Sequence, residues 1–484
     1  MVAEINMEEP AAAAPRALQL PISLFTRHSD LTIPQSTYMI PSSWRRYQLS
    51  ELINKVLSLP TPVPFDFLVE GEVLRGSLDA WVKRNRGGDE EGEVRVEYVR
   101  SMMPPEESGR IQQEDWVSGL SLARPGYILV SSYLSHLRIL PLASTSSAEE
   151  TNTGLYTLPL PNLLGATCCT YLSPQSVTSD IRIAAGGVDR SVHVFQIPSL
   201  DADVASSSSG RELYTLMGHT GPISSIAASS NGSELVSASW DGALNYYALP
   251  EEEPTEHTFP AEPTTFLPGQ KKRRRLNGDA GKGAIEGLKD GDVGAEGWRR
   301  GPDGVMRGHK GRVGGIVWDK NNGDKVWSGG WDGSVRGWEV GSGANAVIRQ
   351  GPSDKSILCI DQFRATGTLA TGSMDRTICL WDTQQATSLI SLTLPTSSPV
   401  AAIACHPTNG FTLASATYHG QIQIWDVRSP KSPLFTAQKQ GVNREVTQNG
   451  KRLGERLLAL DWDGEVIVAG GEDGEVGIWR ARGE

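Results

Sequence analysis

Cysteine is scarce in this chain: five in 484 residues, an odd number, with Cys168 and Cys169 adjacent and no Cys-x-x-Cys pair. That pattern excludes a disulfide framework and zinc-ligand spacing, and it suits a reducing compartment. Long apolar runs are also missing, so no segment of about 18 residues is expected to span a bilayer. The N-terminus carries acids (Glu4, Glu8, Glu9) where a secretory leader needs a positive start. The expectation is a soluble, intracellular protein with no membrane partner. Basic excess is lacking too. The formal charge of −11 argues against a chain whose main task is gripping a phosphate backbone. Catalytic signatures fail on inspection. LNGDAGKGAI (276–285) lacks the first phosphate-loop glycine and puts Gly283 where Ser or Thr would bind magnesium. Asp461-Trp462-Asp463-Gly464 opens like a calcium loop without the later bidentate Glu, so a turn between strands is expected.

What the chain does have is glycine, 52 of them, and a repeat. A small-residue stretch, a tight turn with Asp-Gly or Asp-Arg, a short alternating strand and an aromatic residue recur in order. The copies are GGVDRSVHVF ending at Phe195, SASWDGALNYY at Tyr247, SGGWDGSVRGW at Trp338, TGSMDRTICLW at Trp381, SATYHGQIQIW at Trp425 and GGEDGEVGIW at Trp479. SSYLSHLRIL, ending at Leu140, is an eroded seventh copy. Asp332, Asp375 and His419 are spaced by 43 and 44 residues, the period of one four-stranded propeller blade. In TICLW, Ile378 and Leu380 fall on one strand face and Cys379 and Trp381 on the other, so a strand buried between two neighbours is expected.

These residues resemble the WD-repeat family over roughly 110–484. The resemblance implies a seven-bladed β-propeller. It also implies a structural hydrogen-bond network of turn His, strand Ser or Thr, turn Asp and strand Trp. His309, Ser328, Asp332 and Trp338 match all four positions, and His219, Ser237 and Asp241 match three, with Tyr247 in the Trp place. Asp375 and Trp381 fill two positions in one further copy, Asp473 and Trp479 two in another, and Trp425 one in a third. A hydrolase triad is the competing reading of the His/Ser/Asp sets. The recurrence of the set with the blades, and the absence of a nucleophile elbow, favour structure. No catalytic residue is assigned.

Residues 20–100 follow a different order. ISLFTR and STYMI read as strands, Leu49, Leu52, Ile53, Val56 and Leu57 as one helix face, then PFDFLV, a short element, and VRVEYV. This is the order of a β-grasp, ubiquitin-like α+β domain. Residues 1–19 are expected to be disordered, 101–113 to form a linker, and 114–484 to form the propeller. Within the propeller, 251–303 reads as a disordered insert, and 143–155 and 201–211 as polar loops. The segments LSELINKVL, PVPFDFLVEGEVLRGSLDAWV, VRVEYVRSMMPP and EDWVSGL resemble the WD-repeat subunit of the PeBoW complex. That resemblance implies a scaffold of large (60S) ribosomal subunit assembly and pre-rRNA maturation, in the nucleolus and nucleoplasm. Its implied partners are the block-of-proliferation and pescadillo proteins, the pre-60S particle and midasin, an AAA-type ATPase that strips the complex off. Direct rRNA contact is left open. The resemblance further implies that a carboxylate of the β-grasp domain completes the coordination of a magnesium ion held by midasin. The chain has no cofactor of its own on this reading. Glu91 is the implied ligand, with Asp89 and Glu90 as alternatives in the same acidic loop.

Two short motifs complete the reading. Lys271, Lys272, Arg273, Arg274 and Arg275 form a run that serves nuclear localisation or is a solvated charge run or local RNA contact. Trp425-Asp426-Val427-Arg428 fits the WD-x-R pattern of cullin-RING ligase substrate receptors, the alternative function; a solvated strand-end arginine is the favoured reading, because WD followed by a basic residue is common among these repeats.

Overall fold

The computed structural model of the chain describes residues 19–27, 31–34, 36–58, 61–87, 92–134, 136–142, 156–160, 165–172, 181–197, 210–249, 298–352, 354–384, 390–439 and 456–480. The chain divides into two units, Met1–Met103 and Pro104–Glu484.

In the first unit β1 (Gln19–Phe25) and β2 (Thr37–Pro41) are followed by α1 (Arg46–Leu57), β3 (Phe65–Val69), β4 (Glu72–Val73), α2 (Leu78–Asn85) and β5 (Val94–Arg100). The sheet order is β2-β1-β5-β3-β4, and β5 runs parallel to β1 and antiparallel to β3. The last strand therefore sits at the sheet centre, as a β-grasp requires. Its sequence explains the placement: Val94, Val96 and Tyr98 on one face are all buried, and a strand so apolar needs partners on both edges. The Tyr98 hydroxyl donates to Leu31 O at 2.6 Å and accepts from Ile33 N–H at 3.1 Å, pinning the segment between β1 and β2. On α1, Leu49 and Ile53 are fully buried while Leu52 and Leu57 pack at the margin. Val56 stays 37% exposed, so the buried stripe is narrower than the periodicity suggests. The helix ends at Ser58, left-handed at φ 52°.

The second unit is seven sheets, six with four strands and one with five among the described residues. The innermost strands of successive sheets pack on one another around a ring: Val117–Ser121, Ala166–Tyr171, Ile223–Ala228, Val313–Trp318, Ile357–Gln362, Val400–Cys405 and Leu457–Trp462. This is the seven-bladed WD-repeat propeller. Ile378 and Leu380 pack with Ile403, Leu413 and Trp425 of the next blade. Cys379 and Trp381 pack with Val317, Trp327 and Val335 of the preceding one. A strand with two apolar faces is thus buried between two neighbours.

The turns follow the repeat. Gly333 takes φ 73° in the Asp-Gly copy and Arg376 takes φ 68° in the Asp-Arg copy, so the same left-handed corner is built with and without glycine. Asp463 caps the turn 463–466 by accepting from Glu465 N–H at 2.9 Å and Val466 N–H at 2.7 Å, as expected of a turn.

Two segments differ from expectation. Residues 101–113 are not simply a linker, because β6 (Glu106–Gln112) pairs antiparallel with Glu475–Arg480 as the outer strand of blade seven. Ring closure joins sequence positions about 370 residues apart, and β6 supplies the ladder that Glu475–Arg480 would otherwise expose at an edge. Nor does the insert run to 303: Trp298–Arg300 is a strand, parallel to Arg211–Leu216 on the outer edge of blade two. Arg211 likewise belongs to that outer strand rather than to the 201–211 loop. The expectations for 1–18, 143–155, 201–209 and 251–297 fall outside the described residues. Among the described residues no helix is long and apolar enough to cross a membrane.

Candidate functional site

The complete four-residue network is present in blade four. His309 Nδ1 lies 3.1 Å from Asp332 Oδ1, and Ser328 Oγ lies 2.8 Å from His309 Nε2. Trp338 Nε1–H donates to the same Ser328 Oγ at 2.8 Å. Since an ionised carboxylate only accepts, Nδ1 carries a proton. Burial opposes charge on Asp332, but the His309 contact and the Lys310 N–H outweigh it and hold the carboxyl well below its ordinary range. Ser328 is fully buried, so its hydroxyl is out of reach of any substrate and the hydrolase reading has no geometry to stand on. Gly330 leaves the space the network needs, because a Cβ there would collide with His309 Nδ1. In blade three His219 contacts Asp241 at 3.1 Å and Ser237 at 2.8 Å, while the Tyr247 hydroxyl turns to donate to Met217 O at 3.2 Å.

The remaining blades keep parts of the network. Trp381 Nε1–H donates to Thr371 Oγ1 at 2.9 Å and Trp425 Nε1–H to Ser415 Oγ at 3.2 Å. Asp375 accepts from Thr377 N–H at 2.9 Å and caps its own turn. Trp479 is fully buried. Two substitutes for the turn histidine escaped the sequence reading. In blade seven the buried Lys439 ammonium donates to Asp473 Oδ2 and to Glu475 O at 2.7 Å. Lys439 lies 34 residues before its aspartate, against 22 or 23 for the histidines, so the spacing hid it. In blade two the buried His193 contacts Asp189 at 2.8 Å and Glu212 at 2.7 Å. Burial disfavours the imidazolium, yet the two carboxylates more than offset this and push His193 up to about 9.

A second feature also repeats seven times. The residue before each turn Asp (or its equivalent) donates its N–H to the carbonyl of the residue preceding the inner strand. The pairs are Tyr133–Trp116, Val188–Gly165, Trp240–Pro222, Trp331–Arg312, Met374–Ser356, Tyr418–Pro399 and Glu472–Arg456, at 2.7–3.3 Å. These bonds place the seven hairpin residues at the same end of the inner strands, around one mouth of the ring. Six of the seven are aromatic or apolar. Trp116, Tyr133, Trp240, Trp331 and Met374 are each 39–47% exposed. The Arg312 guanidinium carbon stands 3.3 Å from the Trp240 ring centroid and 3.9 Å from that of Trp331. The signal was in the sequence, one position before each turn Asp, where Trp-Asp-Gly occurs twice.

Asp89, Glu90 and Glu91 lie outside the described residues, but the root of their loop does not. Arg86 donates to Gly92 O at 3.2 Å and Glu93 O at 3.3 Å, and pairs with Glu70. One arginine ties both ends of the acidic loop to the β3–β4 hairpin. Lys271 to Arg275 also fall outside the described residues. Arg428 is neither solvated nor presented to a partner. Its guanidinium forks onto Asp426, with Nη2–H donating at 2.7 Å, and it lies 4.6 Å from the Phe411 ring centroid. Among the described residues no group of three or more His, Cys, Asp or Glu is placed to hold a metal ion.

Residues 20–82 match the NLE (NUC135) domain family. Residues 210–247, 346–382 and 387–426 match the WD domain, G-beta repeat. The chain is 32% identical over 464 residues to the ribosome biogenesis protein YTM1 of Laccaria bicolor, covering 94% of each. It is 30% identical over 463 residues to that of Coprinopsis cinerea, again 94% of each. Against the ytm1 protein of Aspergillus oryzae identity is 28% over 511 residues, 98% of this chain and 97% of that one. With a β-grasp unit, a seven-bladed propeller and end-to-end similarity, this chain belongs to the YTM1 family of ribosome biogenesis proteins, the WD-repeat subunits of the PeBoW complex.

Proposed function

We propose that this chain is a non-enzymatic scaffold of 60S subunit assembly and pre-rRNA maturation, held by its propeller and removed by its β-grasp unit. On this reading the propeller binds the block-of-proliferation protein, with pescadillo as the third member, and the complex joins the pre-60S particle in the nucleolus. Midasin then grasps the β-grasp unit, and Glu91 supplies the oxygen that completes octahedral coordination of midasin's magnesium. Lys271 to Arg275 direct nuclear import, and the released chain passes through the nucleoplasm. The observation that carries the reading is similarity across 94% of the chain, both units included, to proteins of ribosome biogenesis. Arg86 supports the release step by fastening the root of the loop that bears Glu91. Affinity purification of the tagged chain tests the proposal. Co-purification of block-of-proliferation, pescadillo and large-subunit precursors is expected. Recovery of a cullin adaptor without them would turn the reading to the ligase-receptor alternative, which Arg428, folded back on Asp426, does not favour.

A further inference from the structure

Two polar groupings outside the WD-repeat network act as staples between blades. Asp361, paired with Lys320, accepts from Cys405 N–H of the next blade at 2.7 Å. Asp461 Oδ2 accepts from Leu122 N–H at 2.6 Å, across the junction of blades seven and one. That junction closes the ring, and it is also where the chain first enters the propeller. β5 ends at Arg100 and β6 begins at Glu106. Along the chain, a pull on the β-grasp unit therefore reaches the propeller through residues 101–105 and then β6.

β5 and β6 take such a load in series, and they are held unequally. β5 is paired on both sides, with β1 from Ile22↔Val94 to Phe25↔Glu97 and with β3 from Phe65↔Arg100 to Val69↔Val96. Its Val94, Val96, Glu97, Tyr98 and Val99 are buried. β6 is the outer strand of its sheet, paired on one side alone among the described residues, in a ladder whose register shifts at Ile478/Trp479. Ile111 is its one buried residue. Its flank borders a groove of about 590 Å³, lined by residues 105–110 and by residues 436–438 of blade six. A strand with one ladder, one buried side chain and open space at its flank belongs to the low-stability end of a fold. The load also enters at Glu106, the terminal pair of the ladder with Arg480. Detachment has a natural stop: Gln113 N–H donates to Gly474 O at 2.7 Å, and fully buried Val117 begins the inner strand of blade one.

We propose that β6 is the joint that opens first when the β-grasp unit is pulled, and that its detachment opens the ring between blades seven and one before the propeller leaves its particle. The inference rests on the reading that this unit is the one pulled. With β6 detached, Glu475–Arg480 becomes an open edge. Blade seven is then held to blade one by packing around Val117, Val130 and Val468 and by the Asp461 staple. Release passes through a partly opened propeller.

The test holds the full chain in optical tweezers, with one handle on its N-terminus and the other on an azide-bearing residue in place of Arg364, exposed in blade five. The first event is expected to free about 25 Å of chain, the seven residues of β6 at roughly 3.5 Å each. Unfolding of the β-grasp unit would free more than about 200 Å on the same scale. Glu106→Cys with Arg480→Cys joins the terminal pair by a disulfide when oxidised. The oxidised variant should lack the short event and the reduced one regain it, a comparison within one protein. Ile111→Ala, which adds no cysteine, should lower the force of that event. On pre-60S particles with midasin and ATP, the oxidised form should depart at least tenfold more slowly than the reduced form. A first event of β-grasp length, a short event that survives the disulfide, or equal departure of the two forms would overturn the proposal. If midasin removes neither form, the failure is that of the proposed function, and the force measurement still decides whether β6 is the joint.

Discussion

At the scale of single residues, the network around His309 is a matter of satisfied polar atoms in a dry interior. Removing the carboxylate of Asp332 strands a buried imidazole and the Lys310 N–H, at a cost of about 1–3 kcal/mol. Asp332→Ala should therefore lower the thermal midpoint of the propeller, and its loss of partner binding should track unfolding. A stable variant that fails to bind would assign this network to recognition instead. His193 makes a pH prediction. Its folded pKa, pushed up to about 9 by Asp189 and Glu212, exceeds the unfolded value near 6.5. The stabilisation is therefore complete below about pH 6.5 and disappears as pH rises through 9. A shift of that size corresponds to up to roughly 3 kcal/mol. Thermal melts at pH 6, 7.5 and 9 should show a decline that Glu212→Gln flattens; a parallel decline in both proteins would exclude His193 as its source.

At the scale of elements, ring closure rests on β6. Ile111 is the one residue of this strand buried in the core, packed with Val117, Val130, Val476 and Ile478. Ile111→Ala is expected to cost about 2–5 kcal/mol, the range for truncating a buried aliphatic side chain. A chain beginning at Glu114 lacks the strand and leaves Glu475–Arg480 as an open edge. It should melt lower and aggregate more than one beginning at Pro104. Equal stability of the two would mean that blade seven closes without β6. This element also marks where the sequence became illegible. EESGRIQ has neither alternation nor β-branched residues beyond Ile111, and its partner strand lies near the other end of the chain. The turns and core strands were legible because Asp-Gly corners and two-faced runs such as TICLW are local signals. Lys439 was missed because a lysine at a different spacing does the work of a histidine. The ring of hairpin residues was visible in Trp240 and Trp331, but only the repeated backbone bonds bring all seven positions to one face. At Arg428 the motif was legible and its meaning was not, since the pattern cannot show the guanidinium turned back on Asp426.

At the scale of the whole molecule, the chain combines a propeller suited to lasting contacts with a β-grasp unit whose acidic loop is fastened by Arg86. Replacing Lys271 to Arg275 with alanine should move the protein toward the cytoplasm without changing its melting temperature. Undiminished nuclear accumulation would mean that import runs through another signal or a partner. The account as a whole is of a scaffold that is added to a particle and then pulled off through a single carboxylate. Its most direct test is magnesium-dependent binding of the full chain to midasin, measured for Glu91→Ala beside Asp89→Ala and Glu90→Ala, with each variant's retention of the block-of-proliferation protein as the folding control. The account predicts that Glu91→Ala keeps that partner, loses midasin binding and becomes insensitive to chelator, while the neighbours bind normally. If one neighbour fails in place of Glu91, the mechanism holds at a different residue. If all three bind midasin as the unaltered chain does in the presence of magnesium, removal through a carboxylate–metal bridge is contradicted.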